Sequence, residues 1–295
     1  MSILTISRVL CAVDLSDASR LALRQALFVA RQHDATVRVI HVLDPGSPPS
    51  TREGTLFDIT PEMRAAVEED LNWLVAALLD AEVPIDTHVR EGRVVPTILE
   101  EAEAMKADII VIGTHGRSGF QRLALGSVAG KIIRAAPCPV LAVPPPVKDD
   151  APVLARVVLC PTDFSPAARA AVDYARFMAQ HSGAALSLVT VTEWPFGESP
   201  EPGPIADLMH SIDAEAQRHL DGARLEAGPP IRTSVLHGKP WKVIVDFARR
   251  ERAGLIVMGA TGRETHGLAL LGSTTAHVVR EGVCPVLTVP AVPRT

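Results

Sequence analysis

Gly113-Thr114-His115-Gly116 is followed, nine residues on, by Gly126-Ser127-Val128, and Gly259-Ala260-Thr261-Gly262 is followed at the same interval by Gly272-Ser273-Thr274. Glycines so spaced let backbone N–H groups close on a phosphate with no Cβ in the way. A Gly-Ser pair opening a helix adds free amides, the positive end of the helix dipole and a hydroxyl donor. The chemistry implied is capture of a phosphate-bearing ligand. No Gly-Lys-Ser/Thr occurs, so this is not a Walker loop. Arg117 and Arg122 bring charge to the first segment. The second keeps Arg263, but has Leu268 in place of Arg122, and Glu264 and His266 in place of Ser118 and Phe120. The first site is therefore expected to bind a polyanion more tightly. His115 could donate to phosphate or ribose, but it has no partner acid, so no catalytic residue is assigned.

Both segments belong to a longer repetition. Arg8-Val9-Leu10-Cys11-Ala12-Val13-Asp14-Leu15-Ser16 returns as Val157-Val158-Leu159-Cys160-Pro161-Thr162-Asp163-Phe164-Ser165, and Pro137-Cys138-Pro139-Val140-Leu141 as Val283-Cys284-Pro285-Val286-Leu287. The offset is 149 at Asp14/Asp163 and 146 at Gly113/Gly259, so the nine-residue interval survived a length change elsewhere. A period this long means duplicated domains, expected at 1–146 and 154–295 with a Pro-rich polar linker between.

The elements that must position these residues alternate. Short β-branched runs at 8–13, 36–42, 85–90, 108–112 and 139–143 are apolar nearly throughout, as in strands buried on both faces of a parallel sheet. Helical patterns lie between: Leu21, Leu27 and Ala30 share a face, and Met63, Val67, Leu71, Leu74, Val75 and Leu78 form a longer stripe. Ser165, Pro166 and Gly183 read as N-cap, first turn and terminator of one helix, and 127–135 as another. This is an α/β pattern: a parallel sheet with helices on both faces. Asp14 and Asp163 end the first strands, and the glycines follow the fourth, which excludes the dinucleotide fingerprint after strand one. The proline-bearing stretches 43–58 and 193–204 are surface loops that could serve as lids.

The 295 residues carry 29 Lys+Arg against 34 Asp+Glu, a net charge of −5, which argues against a nucleic-acid surface. No apolar run is long enough for a membrane span, and no secretory leader is apparent, so a cytoplasmic location is expected. The four cysteines include no Cys-x-x-Cys pair, and the histidines show no metal-ligand spacing; most are expected to face solvent. Cys11 and Cys160 read as small buried hydrophobes, and Cys138 and Cys284 as inert thiols.

Together the glycine spacing, the Pro161-Thr162-Asp163-Phe164-Ser165 start and the Cys-Pro-Val-Leu-x-Val-Pro endings resemble universal stress protein domains of the ATP-binding type, in tandem. The resemblance implies two open five-stranded parallel sheets ordered 3-2-1-4-5, adenine-nucleotide alpha-hydrolase-like, with ATP, with or without Mg2+, across the ends of strands one and four. It places Ala12, Val13 and Asp14, and Pro161, Thr162 and Asp163, at the nucleoside end, with the backbones of Val42 and Val191 facing adenine. Gly113, His115, Gly116, Arg117, Gly126, Ser127 and Val128, and Gly259, Thr261, Gly262, Arg263, Gly272, Ser273 and Thr274, would hold ribose and phosphates. It further implies that the two copies pair through their last strands as a pseudo-dimer, with a homodimer and an unidentified protein partner as further associations. The function expected is a nucleotide sensor or buffer in a stress response, with a slow ATPase or phosphotransferase as the alternative. A ligand-free scaffold is disfavoured by the intact glycines.

Overall fold

The computed structural model describes residues 4–46, 58–78, 82–114, 125–145, 157–193, 203–224, 230–262 and 271–291. They form two compact units, one for each copy of the sequence. In the first, β1 (Arg8–Ala12), α1 (Asp17–Gln32), β2 (Thr36–Leu43), α2 (Pro61–Ala76), β3 (Ile85–Glu91), α3 (Val94–Ala104), β4 (Ile109–Gly113), α4 (Ser127–Ala135) and β5 (Val140–Val143) follow one another. The second runs β6 (Val157–Pro161), α5 (Pro166–Ser182), β7 (Ala185–Thr192), α6 (Pro204–Arg224), β8 (Ile231–His237), α7 (Pro240–Arg250), β9 (Leu255–Gly259), α8 (Ser273–Glu281) and β10 (Val286–Val289). The strand order is β3-β2-β1-β4-β5 in the first unit and β8-β7-β6-β9-β10 in the second. Every pairing within each unit is parallel.

The register decides where the chemistry goes. Ala12, the last residue of the central strand, stands between Ile40 and Ile112. Val13-Asp14 therefore leaves the sheet beside His41-Val42 on one side and Gly113 on the other. This is the point where strand order reverses, the crevice that open parallel sheets use for ligands. The fully buried Leu10, Ile109, Ile110 and Leu141, with Leu23 and Ile132 from the helices, fill the first core. Leu159, Leu186, Leu188 and Met178 do the same in the second.

Local signals act as the sequence reading expected at α5. Ser165 caps it by accepting from Ala168 N at 3.2 Å, Pro166 opens it, and Gly183 ends it at φ 67°. The helical faces differ in detail. On α1 the buried set is Ser19, Ala22, Leu23, Ala26, Leu27, Val29 and Ala30, with Leu21 at its margin. On α2 only Leu71, Leu74 and Val75 are buried among the expected stripe, while the first turn meets β3 through Arg64, which donates to Val89 O and Glu91. Trp73 is 63% exposed there, with the Arg20 guanidinium 5.6 Å from its ring centroid. Most of 43–58 and 193–204, the expected lids, lies outside the described residues.

Candidate functional site

In the first unit, Val13 N–H donates to Ile40 O at 2.9 Å, and the chain then turns away from the sheet. The turn needs Leu15 in the left-handed region at φ 64°, which costs an L-residue about 1–2 kcal/mol. Asp14 holds it there: its Oδ1 accepts from Ser16 N at 3.1 Å and from the Ser16 hydroxyl. Ser16 in turn accepts from Ser19 N at 3.3 Å as the cap of α1. The second unit repeats the device, with Phe164 at φ 63° and Ser165 N donating to Asp163 Oδ1 at 3.0 Å. Each aspartate thus has a structural duty that fixes its carboxylate at the mouth of the crevice.

On the other side of β1, Thr114 N donates to Val143 O at 2.9 Å, and Gly126 N donates to Thr114 O at 2.9 Å. That bond clasps the two ends of the glycine segment and sets the start of α4 beside the end of β4. Gly126 occupies the N-cap with no side-chain hydrogen bond, so the first amides of α4 are left for a ligand or water. Ala12, Val13, Asp14, Val42, Gly113, Gly126, Ser127 and Val128 line one cavity of about 250 Å³. His115, Gly116 and Arg117 lie outside the described residues, as does Arg122.

The cavity also uses residues that the sequence reading did not single out: Ile40, His41, Val94, Ile98 and Thr114. His41 is the buried exception among the described histidines, with Nδ1 2.9 Å from Val13 O; the others are half-buried or exposed. A carbonyl oxygen carries no proton, so Nδ1 is the donor and the ring is fixed against the turn. Its place beside Val42 was the available signal. Val94 and Ile98 come from α3, which is anchored by a buried carboxylate one turn further on. Glu101, 3% exposed, accepts from Arg38 at 2.8 Å and from Arg90, and lies 3.4 Å from His88 Nδ1. Arg38 also forks onto Asp86, and these contacts hold its guanidinium pKa above the ordinary value against some desolvation. In the second unit the residue matching Glu101 is Phe247, and the ion pairs are replaced by packing.

The second unit brings the same glycines together. A Cβ on Gly259 would lie 3.0 Å from Ala167, one on Gly262 would lie 3.2 Å from Asp163 Oδ2, and one on Gly272 would lie 3.5 Å from Gly262 N. Gly272 N donates to Ala260 O at 2.9 Å, repeating the clasp. Pro161 ends β6 and Thr162 N, just beyond it, donates to Val189 O at 2.8 Å, while Thr261 precedes Gly262 at the end of the described segment and Ser273-Thr274 open α8. Arg263 lies outside the described residues. One cavity of this unit lies between the end of β7 and α6. It measures about 460 Å³ and is lined by Asp163 and Val191 together with Phe164, Thr190, Thr192 and Glu193, and by Met209, Ile212, Glu215, Ala216 and His219 of α6. Thr192, at its edge, is tied to α6 and β8: its hydroxyl lies 3.1 Å from Asp213 Oδ1 and 2.9 Å from His237 Nδ1.

All four cysteines are buried and unpaired by disulfide. Burial pushes the thiols of Cys138 and Cys284 up to about 12 and raises those of Cys11 and Cys160 further. Among the described residues, no three His, Cys, Asp or Glu side chains gather to hold a metal, and no helix is long and apolar enough to cross a membrane.

Two open-sheet α/β domains in one chain, each with an acid after its central strand and a clasped glycine segment, define a tandem of crevice-bearing domains. The chain belongs to the universal stress protein family, whose description matches residues 5–144 and again 155–290. It is 28% identical over 294 residues to a universal stress protein of Mycolicibacterium smegmatis, covering 95% of this chain and 96% of that one. A universal stress protein of Methanocaldococcus jannaschii is 36% identical over 146 residues, 48% of this chain and 84% of its own. The crystal structure of a universal stress protein from Archaeoglobus fulgidus superposes with a TM-score of 0.68 at 21% identity, covering 97% and 98% of the two chains, a likeness of fold.

Proposed function

We propose that this protein binds adenine nucleotide, ATP in the first unit, and acts in a stress response as a sensor or buffer of that nucleotide, with no dedicated catalytic turnover. The observation that carries the reading is the convergence, on one 250 Å³ cavity, of Asp14, the clasped Gly113 and Gly126, and the uncapped start of α4. The amides of Ser127 and Val128 would bind phosphate, the Asp14 carboxylate would accept from ribose, and the backbone of Val42 would face the base. Magnesium would ride on the phosphates, with water completing its shell. Binding is favoured over hydrolysis because the ionisable groups of the described cavity, Asp14 and His41, are both committed to holding the turn.

The pseudo-dimer belongs to the same proposal. Within its own unit β5 pairs with β4, and β10 with β9, so each last strand has a further edge to offer. A homodimer and a protein partner extend it. The deciding experiment is the mass of the small molecule released when the purified protein is denatured, followed by calorimetric titration of the emptied protein. Release or uptake of ATP supports the reading; a protein that neither carries nor takes up any nucleotide removes it.

A further inference from the structure

The helices that open the would-be phosphate ends, α4 and α8, share a Gly-Ser start and a backbone clasp, but the side chains behind them differ. In α8 the buried Thr275 donates its hydroxyl proton to Gly259 O at 2.8 Å, tying the first turn to the end of β9. His277 Nδ1 lies 2.7 Å from Ser273 O and is the donor there, since a carbonyl carries no proton. Its ring stacks on Trp241 of α7, with centroids 5.2 Å apart and planes at 20°. The first turn of α8 is thus fixed to a strand on one side and to a neighbouring helix on the other.

At the matching positions α4 carries none of these braces. Ala129 stands where α8 has Thr275, Lys131 where it has His277, and Val95 of α3 where α7 has Trp241. Gly130 takes the place of Ala276 in the helix interior, where glycine has more backbone freedom to lose on ordering. Among the described residues, no side-chain hydrogen bond ties α4 to β4. What α4 has instead is Ile132 and Ile133, buried where α8 has Val278 and Val279, and these anchor its later turns. The slack falls on the first turn, whose Ser127 and Val128 amides would bind phosphate.

A net hydrogen bond shifts a local opening equilibrium about fivefold, and glycine for alanine inside a helix about fourfold. The first turn of α4 is therefore expected to open at least about tenfold more readily than that of α8. Phosphate held by its amides would supply the tie that the side chains do not. We infer that ligand closes the first turn of α4, while α8 holds its own closed with or without ligand, so that the first unit changes structure with occupancy and the second is a fixed holder. The inference rests on the adenine-nucleotide reading for the identity of the ligand.

The test is residue-resolved hydrogen exchange, together with Cα chemical shifts, on the full chain with and without saturating ATP. The matched bonds from Gly130 N to Gly126 O and from Ala276 N to Gly272 O, both 2.9 Å, read the two first turns. Without ligand, protection at Gly130 (corrected for its intrinsic rate) is expected at least about tenfold below that at Ala276. ATP is expected to bring the Cα shifts of 128–131 up to full helical values and to leave those of 274–277 in place. Thr275→Val keeps the shape and removes the tie, and should lower protection at Ala276 about fivefold. Gly130→Ala should raise protection at Lys131 about fourfold. Protections equal within about threefold without ligand, or an α8 indifferent to Thr275→Val, overturn the inference. Uptake of ATP with the α4 shifts unmoved also overturns it and leaves the nucleotide reading intact. No uptake of ATP, with the ligand-free difference and the response to Thr275→Val both present, removes the nucleotide reading and ATP as the closing ligand, while the unequal bracing stands.

Discussion

Glu101→Ala tests whether the ion-pair cluster behind α3 holds the first cavity's wall in place. The carboxylate is buried, and its removal strands two guanidinium groups that now share it. Loss of one member of a buried ionic group costs about 3–5 kcal/mol when the remaining charge has nowhere to go. Here relief is partial: Arg38, 26% exposed, keeps Asp86, and Arg90, 46% exposed, can turn to water. The expected loss is therefore about 2–3 kcal/mol, or roughly 8 °C in the midpoint of a unit this size. Scanning calorimetry reads it directly. The loss should persist in 0.5 M salt (roughly a 4 Å screening length), because the carboxylate itself is dry. ATP affinity should fall with it, since Val94 and Ile98 on the same helix line the cavity. Phe247→Ala at the matching place in the second unit provides the comparison, with a cavity cost of about 3–5 kcal/mol and no salt dependence. A Glu101→Ala midpoint within about 2 °C of wild type would refute the reasoning, since it would make the cluster a surface decoration.

Turnover of ATP is expected below about one per chain per minute, the range of unassisted nucleotide-binding switches; a sustained rate above about one per second, abolished by Asp14→Ala or Asp163→Ala, would convert the protein into an enzyme. A thiol reagent such as dithionitrobenzoate should find no fast cysteine in the native protein and all four after denaturation. Because burial raises every thiol pKa, the native rate should stay flat from about pH 7 to 9, below the titration of Cys138 and Cys284 near 12; a reactive thiol appearing in that window would contradict it. Leu15→Gly should stay within about 1 kcal/mol of wild type in urea unfolding, while Leu15→Val loses about 1–2, because a β-branched side chain tolerates the left-handed turn least. His41→Leu removes the bond to Val13 O and should cost about 1–2 kcal/mol with weaker ATP binding; unchanged affinity would separate His41 from the site.

The inner strands were legible because they are short β-branched runs buried on both faces, whereas the outer β3 and β8 are mostly half-buried or exposed; the observed limits in the first unit depart from the expected ones by about a residue. The helix at 127–135 was legible from its Gly-Ser opening, and the pairing of Asp14 with Asp163 from the duplication. Those are local or repeated signals, and the side chain that makes them also makes the structure. Gly113 and Gly126 could be called partners from spacing alone, since the clasp between Thr114 and Gly126 is a backbone bond that any sequence of the right length can form. What only the tertiary structure decided depends on which side chain from a distant element arrives at a given place. Nothing near His41 announces that Val13 O will meet its ring, and nothing near Glu101 announces two arginines from neighbouring strands. In the second unit a cavity opens toward α6, where Phe164 and His219, far apart in sequence, set their rings 5.0 Å apart. Periodicity and spacing fix the backbone frame, whose hydrogen bonds are the same for every residue. The shape and charge of the space inside it are set by side chains in contact over long sequence separation, and that information appears only once the chain is folded.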